Sequence, residues 1–397
     1  MRFFDFSTTM RTPRTHSPFF WPLLALAGGL TACGGGSSEP AAPAVRVEFL
    51  QPAPDTVANQ GQTLALAVRA FAGDAAVDNG TVVSFSANAS SLGTARTQTG
   101  QASLSWGAAP VGAVSVQASV SVSGQTASAQ RTVWVRPAPQ PLEVLVPAYF
   151  YPTGNGARDW QALTTAAQAQ PGVRITAVLN PANGVFTSAD TNIQRAASAF
   201  TAAGGAVVGY VFTRYGTGSR SLDSIRANID AYLSLYGRGM VSGFFIDEMA
   251  ATADRLPFYR AIYDHIKSRD PALRVIGNPG MWPVADYATV ADTLVTFEGR
   301  NSAFQAYALL PSHDWMVTQP NRRNAVLVHD ALTCGDMQAA VQRAALASSN
   351  VGHVFMTSLQ YDVATNTGNP WAGLPPYWNT LVQTVGAVNQ GTALPAC

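Results

Sequence analysis

Short apolar segments alternate with helical stretches eight times from residue 142 to the end of the chain, and this alternation constrains the fold more than any other feature. Runs that are apolar at successive positions are typical of parallel strands buried on both faces. Eight strands with eight intervening or closing helices in about 255 residues predict an α/β fold, a (β/α)8 TIM barrel over 142–397. An open, doubly wound sheet is the alternative, but no Gly-x-Gly-x-x-Gly turn of a dinucleotide fold follows an early strand. The predicted strands are 144–150, 174–180, 206–213, 243–249, 274–278, 293–298, 325–329 and 352–358, and the clearest predicted helices are 192–203, 221–236, 256–268, 336–348 and 376–388.

Residues 45–136 follow a different period. Apolar and polar residues alternate there in short segments, and Gly, Asn, Asp or Pro separates the segments. This pattern predicts an N-terminal, all-β sandwich that resembles the bacterial Ig-like modules of surface proteins. Because the region has no cluster of catalytic side chains, we interpret it as a spacer. The proline-rich residues 137–141 predict a stiff linker to the barrel.

The chain begins with the features of an export signal. Within residues 1–33, three arginines precede an apolar run at 19–30, and the run leads into Leu-Thr-Ala-Cys33. Small residues before a cysteine resemble the signal of a bacterial lipoprotein, in which that cysteine is lipidated. We therefore expect lipidation of Cys33, a flexible tether at 34–44, and export to the outer membrane or cell surface with a lipid anchor in the membrane. Plain secretion is the alternative.

Composition excludes several classes of function. The formal net charge is +1, and only 12% of the residues are charged, so the chain lacks the basic excess that nucleic-acid binding requires. Lys267 is the only lysine, which removes most lysine-based chemistry. The five histidines show no metal-ligand spacing, so we expect neither a metal nor a cofactor. The sequence leaves the oligomeric state open, with a monomer favoured.

Two cysteines remain after the predicted leader. Cys334 follows a predicted strand, and Cys397 is the last residue. Outside the cytoplasm an even pair of cysteines indicates a disulfide, which here would hold the C-terminus against the barrel. Two free thiols are the alternative.

Carboxylates stand at the ends of two predicted strands. Asp247 and Glu248 follow the apolar residues of the fourth strand, and Glu298 follows those of the sixth. The working residues of a barrel gather at the carboxyl ends of its strands, so these acids should face one mouth. Strand alternation favours Asp247 over Glu248 as the inward residue, and it predicts that Val295 and Phe297 point outward when Glu298 points inward. Two facing carboxylates are the catalytic groups of glycosidases.

Other strand ends carry aromatic, amide and imidazole side chains. Aromatic faces stack on sugar rings, and amides bridge sugar hydroxyls, so together these residues predict a carbohydrate-binding mouth. The predicted substrate-binding residues are Tyr149, Tyr151, Asn180, Tyr210, Tyr215, Asn278, Trp282, His329, Gln360 and Tyr361.

An ordered set of motifs resembles the spherulin-4 (spherulation-specific) family. The set is Gly-Tyr-Val-Phe-Thr-Arg-Tyr-Gly at 209–216, Phe-Phe-Ile-Asp-Glu at 244–248, Asn-Pro-Gly at 278–280 and Phe-Glu-Gly at 297–299. The resemblance covers about 142–365. It implies a (β/α)8 glycoside hydrolase that cleaves α-1,4-linked galactosamine and N-acetylgalactosamine stretches of exopolysaccharides. It also implies that Asp247, Glu248 and Glu298 are the acidic site residues.

Together these features favour a surface-anchored glycosidase with a polysaccharide substrate. In this hypothesis Asp247 is the nucleophile or assists it, Glu298 is the general acid/base, and Glu248 supports them. The order of the two main roles stays open at this point. A carbohydrate-binding adhesin that does not cut its ligand is the first alternative, and a structural envelope lipoprotein is the second.

Overall fold

The computed structural model describes residues 43–362 and 364–397, and the first part of this range forms two packed β-sheets. One sheet contains β1, β3, β4 and β7, and the other has the order β2-β9-β8-β5-β6. The predicted leader, Cys33 and residues 34–42 of the tether lie outside the described residues. The strands are β1 (Val45–Gln51), β2 (Val57–Asn59), β3 (Thr63–Ala72), β4 (Ala75–Ala76), β5 (Val82–Ala87), β6 (Ser90–Arg96), β7 (Gln101–Gly107), β8 (Gly112–Val122) and β9 (Gln125–Arg136).

The alternation of apolar and polar residues along each strand explains how these sheets form a core. Along β8, Val114, Val116 and Val120 are buried, while Ser115 and Ser121 between or beside them are exposed. Because successive side chains point to opposite faces of a strand, one face of each sheet is apolar and packs against the other sheet.

The second part is a closed parallel barrel, as the sequence predicts. Strands β10 to β17 pair in chain order, and β17 closes onto β10. The strands are β10 (Glu143–Val146), β11 (Ile175–Leu179), β12 (Ala206–Phe212), β13 (Val241–Asp247), β14 (Arg274–Gly277), β15 (Thr293–Arg300), β16 (Asn324–His329) and β17 (His353–Met356), followed by the hairpin β18 (Tyr361–Asp362) and β19 (Thr367–Gly368). The helices are α1 (Asn155–Ala169), α2 (Thr191–Ala202), α3 (Leu222–Leu235), α4 (Leu256–Arg269), α5 (Asn301–Phe304), α6 (Asp314–Val317), α7 (Cys334–Ala345) and α8 (Trp378–Gln390).

The predicted alternation of strands and helices is interrupted on one side of the barrel. Between β14 and β15 the chain forms a 3₁₀ segment at Ala285–Thr289, and between β15 and β16 it forms the four-residue helices α5 and α6 and a 3₁₀ turn at Asn321–Arg323. These two connections contain three prolines, Pro283, Pro311 and Pro320. Because proline lacks the backbone donor and disfavours helix at the residue before it, neither connection sustains a long helix.

The alternation of side chains along a strand correctly predicts that Asp247 points inward. Its prediction that Val295 points outward is wrong. Phe244 packs edge-on against Tyr232 of α3, which places it on the helix side and Asp247 inside. In β15, however, Val295 pairs with Ala325 and Phe297 pairs with Val326, so an extra residue bulges between them. Val295 and Phe297 therefore face opposite sides of the sheet. The bulge lets Phe297 pack outward while Glu298 turns inward.

Cys334 and Cys397 form a disulfide between the start of α7 and the C-terminus. The bridge closes a loop with a sequence separation of 63 residues, which contains α7, β17, the β18–β19 hairpin and α8. Within 43–362 and 364–397, no helix is long and apolar enough to cross a membrane.

We predict that Cys397→Ser lowers the free energy of unfolding by about 2–4 kcal/mol, because the bridge restricts the unfolded chain. Cys334→Ser and the double variant should show the same loss, since either change removes the whole bridge. Chemical denaturation of the three variants checks this. A double variant clearly less stable than either single one would show that the thiols contribute separately.

Candidate active site

Asp247 and Glu298 are held by one shared donor. The Nδ2 amide of Asn278 donates to Asp247 Oδ1 at 2.8 Å and to Glu298 Oε2 at 2.7 Å. Two hydrogen bonds to one nitrogen limit the separation of these carboxylate oxygens to about 5.5 Å. The structure therefore brings the two sequence-predicted acids together over the barrel mouth.

Strand pairing explains this convergence. Asn278 comes directly after β14, and its backbone amide donates to Ile246 O at 2.8 Å, which puts it beside Asp247. On the other side, the Glu298 amide donates to Gly280 O at 3.0 Å. The three side chains lie on three adjacent strand ends, and the β15 bulge aims the last of them at the other two.

Two tyrosines line the Asp247 side of the pair. Tyr210 donates its hydroxyl to Asp247 Oδ2 at 2.7 Å, and its ring stacks on Phe245 inside the barrel. The Tyr149 ring meets Tyr210 edge-on, with centroids 5.3 Å apart. Burial, followed by the negative charge of Asp247, raises the pKa of both phenols, so both hydroxyls stay protonated donors.

Burial also raises the pKa of both acids. It raises the pKa of Asp247, and the hydrogen bonds from Tyr210 and Asn278 oppose that shift by stabilising the carboxylate. It raises the pKa of Glu298 to about 7, with the charge of Asp247 as the second cause. Because Asp247 accepts two strong hydrogen bonds, we assign the charge of the pair to Asp247 and the shared proton to Glu298.

Trp371 is a site residue that sequence reasoning missed. It is fully buried, it hydrogen-bonds the Glu298 side chain, and it packs against Phe355 and edge-on against His329. It lies in the long connection after β17, where no periodicity marks a position as close to the mouth. The only signal was the presence of a tryptophan in a connection on the catalytic face.

Glu248 lies beside the pair but turns towards another partner. Its carboxylate is 3.6 Å from Arg214, and its Oε2 atom is buried without a hydrogen-bond partner. Glu248 has φ 51°, and Arg214 and Tyr215 have φ 51° and 55°. Left-handed backbone at three non-glycine residues around one mouth is strained and is typical of functional sites.

Asn180, Tyr215 and His329 also lie at strand ends on the mouth. Asn180 Oδ1 is a buried atom without a hydrogen-bond partner, which leaves it free for a ligand group, whereas His329 Nδ1 lies 3.3 Å from Asp330 Oδ1. Tyr215 is 40% exposed, and burial of its hydroxyl together with the charges of Glu248 and Asp247 raises its pKa to about 12.

Of four other predicted binding residues, three are engaged by other protein groups and one is exposed. Tyr151 is bonded to Asp190 and Asn192 at the start of α2, and Gln360 is exposed beyond β17. Trp282 stacks on Tyr307 and His313 in the outer layer, with centroids 5.3 and 4.3 Å away. Tyr361 is buried and donates to Asn366 at 2.6 Å.

A metal centre needs several histidine, cysteine or carboxylate side chains that converge on one point. Over the described ranges 43–362 and 364–397, the structure contains no group of three or more such residues that could hold an ion. The site is therefore described by its acids, its amide and its phenols.

Comparison with known proteins identifies relatives of the barrel. Residues 143–385 match the sequence pattern of spherulation-specific family 4. Spherulin-4 of Physarum polycephalum is 37% identical over 164 residues, which are 41% of this chain and 46% of that protein, so the chain spans about half the length of this relative. The crystal structure of Aspergillus clavatus Sph3 in complex with GalNAc aligns with a TM-score of 0.50 at 24% identity, covering 62% of this chain and 97% of Sph3. That alignment shows a shared fold.

We predict that Glu298→Gln stabilises the protein at high pH. The pKa of this carboxyl is raised from 4.5 to about 7 on folding, so its favourable contribution is present below pH 4.5 and is lost as the pH rises through 7. The uncharged amide avoids that loss, which is about 3 kcal/mol at most. The melting temperature of the variant should therefore exceed that of the wild type increasingly between pH 4 and pH 8.

Glu48→Gln is the matched control, because Glu48 is a carboxylate with 59% side-chain exposure on β1. It should show no such trend. A constant difference between Glu298→Gln and the wild type at every pH would contradict the assigned proton.

Proposed function

The chain belongs to spherulation-specific family 4, and from this membership we propose that its barrel is a glycoside hydrolase. The proposed substrate is an α-1,4-linked polymer of galactosamine or N-acetylgalactosamine. The GalNAc bound to Sph3, a protein of the same fold, supports a hexosamine substrate. The observation that carries the proposal is the single Asn278 amide between Asp247 and Glu298, because it keeps one oxygen of each carboxyl group within about 5.5 Å of the other.

That spacing favours a retaining mechanism. Retaining glycosidases hold their two carboxyl groups about 5–5.5 Å apart, whereas inverting ones leave about 6.5–9.5 Å for a water molecule. In the proposed first step, ionised Asp247 attacks the anomeric carbon while Glu298 gives its proton to the leaving glycosidic oxygen. In the second step, Glu298 takes a proton from water, and the resulting hydroxide displaces Asp247 from the anomeric carbon.

The neighbouring groups support these roles. Tyr210 and Asn278 stabilise the carboxylate of Asp247 before the attack and orient it towards the sugar. The pKa of Glu298, about 7, allows this group to be an acid in the first step and a base in the second at neutral pH. The charge of Glu248 raises the pKa of Asp247, while the Glu248 backbone amide donates to the Asp247 carboxylate and opposes that shift.

We propose that polar and aromatic side chains at the mouth contact the sugar. Asn180 Oδ1 is an acceptor for a hydroxyl or amine hydrogen, and His329 offers its imidazole while Asp330 Oδ1 lies 3.3 Å from its Nδ1. The exposed ring of Tyr215 offers an apolar face for stacking. Tyr149 lies against Tyr210, where its hydroxyl can reach the bound residue.

We also propose that the protein is exported and anchored to a membrane by a lipid. The sequence pattern before residue 34 supports lipidation at Cys33, and the proposed Ig-like region would then hold the barrel near the cell surface.

We predict that Asp247→Asn lowers turnover on α-1,4-galactosamine oligomers by on the order of 10³-fold or more, because it removes the nucleophile. Glu298→Gln should cost about 10²–10⁴-fold, because it removes acid and base assistance. Mass spectrometry of acetylated and de-N-acetylated oligomers measures the loss of chain length. Asp223→Asn, at a 94% exposed carboxylate on α3, is the control and should be fully active.

Added azide separates the two roles. It should restore turnover of an activated aryl glycoside by Glu298→Gln, since azide needs no general base, and it should form a glycosyl azide there. Full activity of either variant would remove the mechanism. Binding of intact oligomers by the wild type without any cleavage would instead favour the carbohydrate-binding adhesin.

We also predict the pH profile of kcat/KM. Activity requires protonated Glu298, so it should fall as the pH rises through about 7. On the acid side it should fall as Asp247, whose pKa is raised above its usual value, becomes protonated. Initial rates between pH 3 and pH 9 check this, and a profile that stays flat from pH 6 to pH 9 would contradict the assignment of the acid.

A further inference from the structure

The outer layer of the barrel is thin behind the strand that carries Glu298. Helices α1–α4, α7 and α8 have 12 to 15 residues each, whereas α5 and α6, which follow β15, have four residues each. A TIM barrel buries its strands under a complete ring of helices. The apolar outer face of β15 therefore needs another cover.

A small apolar core lies at this place and contains residues from both parts of the chain. Leu309, Met316 and Val317, from the connection between β15 and β16, are at most 1% exposed. Val57 and Trp134 of the N-terminal sheets pack against them. The remaining partly buried members are Trp282, Leu310 and Trp315 of the barrel.

Polar contacts fix the same interface. Arg136 is only 3% exposed, and its guanidinium donates to Asn59 Oδ1 at 2.7 Å and to Asn350 Oδ1 at 3.2 Å. Asn321 binds the backbone of Gln140 in the linker twice, through its Oδ1 at 2.9 Å and its Nδ2 at 2.8 Å. Burying the Arg136 cation costs free energy unless its hydrogen-bond partners stay in place. These contacts therefore favour one fixed arrangement of the N-terminal sheets and the barrel.

The interface connects to Glu298 by direct contacts. Trp282 belongs to the shared core and stacks on Tyr307. Tyr307 meets Phe297 edge-on, with centroids 5.9 Å apart, and its hydroxyl lies 2.8 Å from Thr296 Oγ1. Thr296 and Phe297 form the bulge that directly precedes Glu298 and turns it inward.

We propose that the N-terminal β-sandwich replaces the missing helices as the outer wall of the barrel, and that Trp134 is a positioning residue for Glu298. In this proposal the sandwich is an integral part of the catalytic unit, in place of the spacer that the sequence pattern suggests. Loss of the Trp134 ring should loosen the 305–317 connection and, through Tyr307, the bulge of β15.

Hydrogen–deuterium exchange on the full chain tests the wall. We expect Trp134→Ala to speed exchange about tenfold or more in peptides covering 293–317, with the β12 and β13 peptides unchanged. Trp134→Phe should restore most of the protection. Thr132→Ala changes an exposed residue two positions earlier on the same face of β9, and it should match the wild type.

A reciprocal variant distinguishes loss of the interface from unfolding of the whole sandwich. Met316→Ala, on the barrel side, should speed exchange at 57–59 and 133–136 while β5 and residues 116–122 of β8, which pair with other parts of β9, stay protected. Unchanged exchange at 293–317 in Trp134→Ala, or a uniform increase across the barrel, would overturn the proposal.

A kinetic measurement tests the positioning role, and this arm alone rests on the proposed hydrolase activity. Trp134→Ala should lower kcat about tenfold with KM within about twofold, and should shift the alkaline limb of its pH profile, with both effects reversed in Trp134→Phe. Wild-type kcat and pH profile in Trp134→Ala would overturn that role. Absence of hydrolysis by the wild type would overturn the proposed function. The exchange result would then still test whether the sandwich is the outer wall of the barrel.

Discussion

One amide group sets the geometry on which the site depends. The Nδ2 amide of Asn278 donates to both Asp247 and Glu298, and so holds one oxygen of each carboxyl group within about 5.5 Å of the other. Two buried carboxylates at this distance repel each other, and the repulsion is relieved when one of them keeps a proton. The shared donor thus determines both the distance between the acids and the unequal distribution of their charge.

The barrel places Asp247, Asn278 and Glu298 at adjacent strand ends, and the outer layer supports the orientation of Glu298. Parallel strands end at one edge, so Asp247, Asn278 and Glu298 lie next to each other although 51 positions separate the first from the last. Regular alternation alone would put Val295 and Phe297 on one face, and the bulge between them changes that. In the proposed arrangement, the apolar core under Trp134 keeps this irregular strand in place.

The sequence predicted the features that depend on local period. The eight strands follow from apolar runs, and the acids follow from their position after such runs. The disulfide between Cys334 and Cys397, suggested by residue count, is present in the structure. Features that depend on which distant side chains meet could not be predicted, because periodicity carries no information on partners. Trp371 beside Glu298 and Trp134 against Met316 are of this kind.

The stereochemistry of the first product tests the central claim most directly. If the two acids work at the spacing that Asn278 fixes, an α-linked oligomer gives a new reducing end that is α when it forms and changes to β only by slow mutarotation. Proton NMR of the anomeric region in the first minutes of hydrolysis shows which anomer comes first. The α anomer is the predicted result, and an initial β anomer would contradict the account, because it requires a water molecule between acids that stand farther apart.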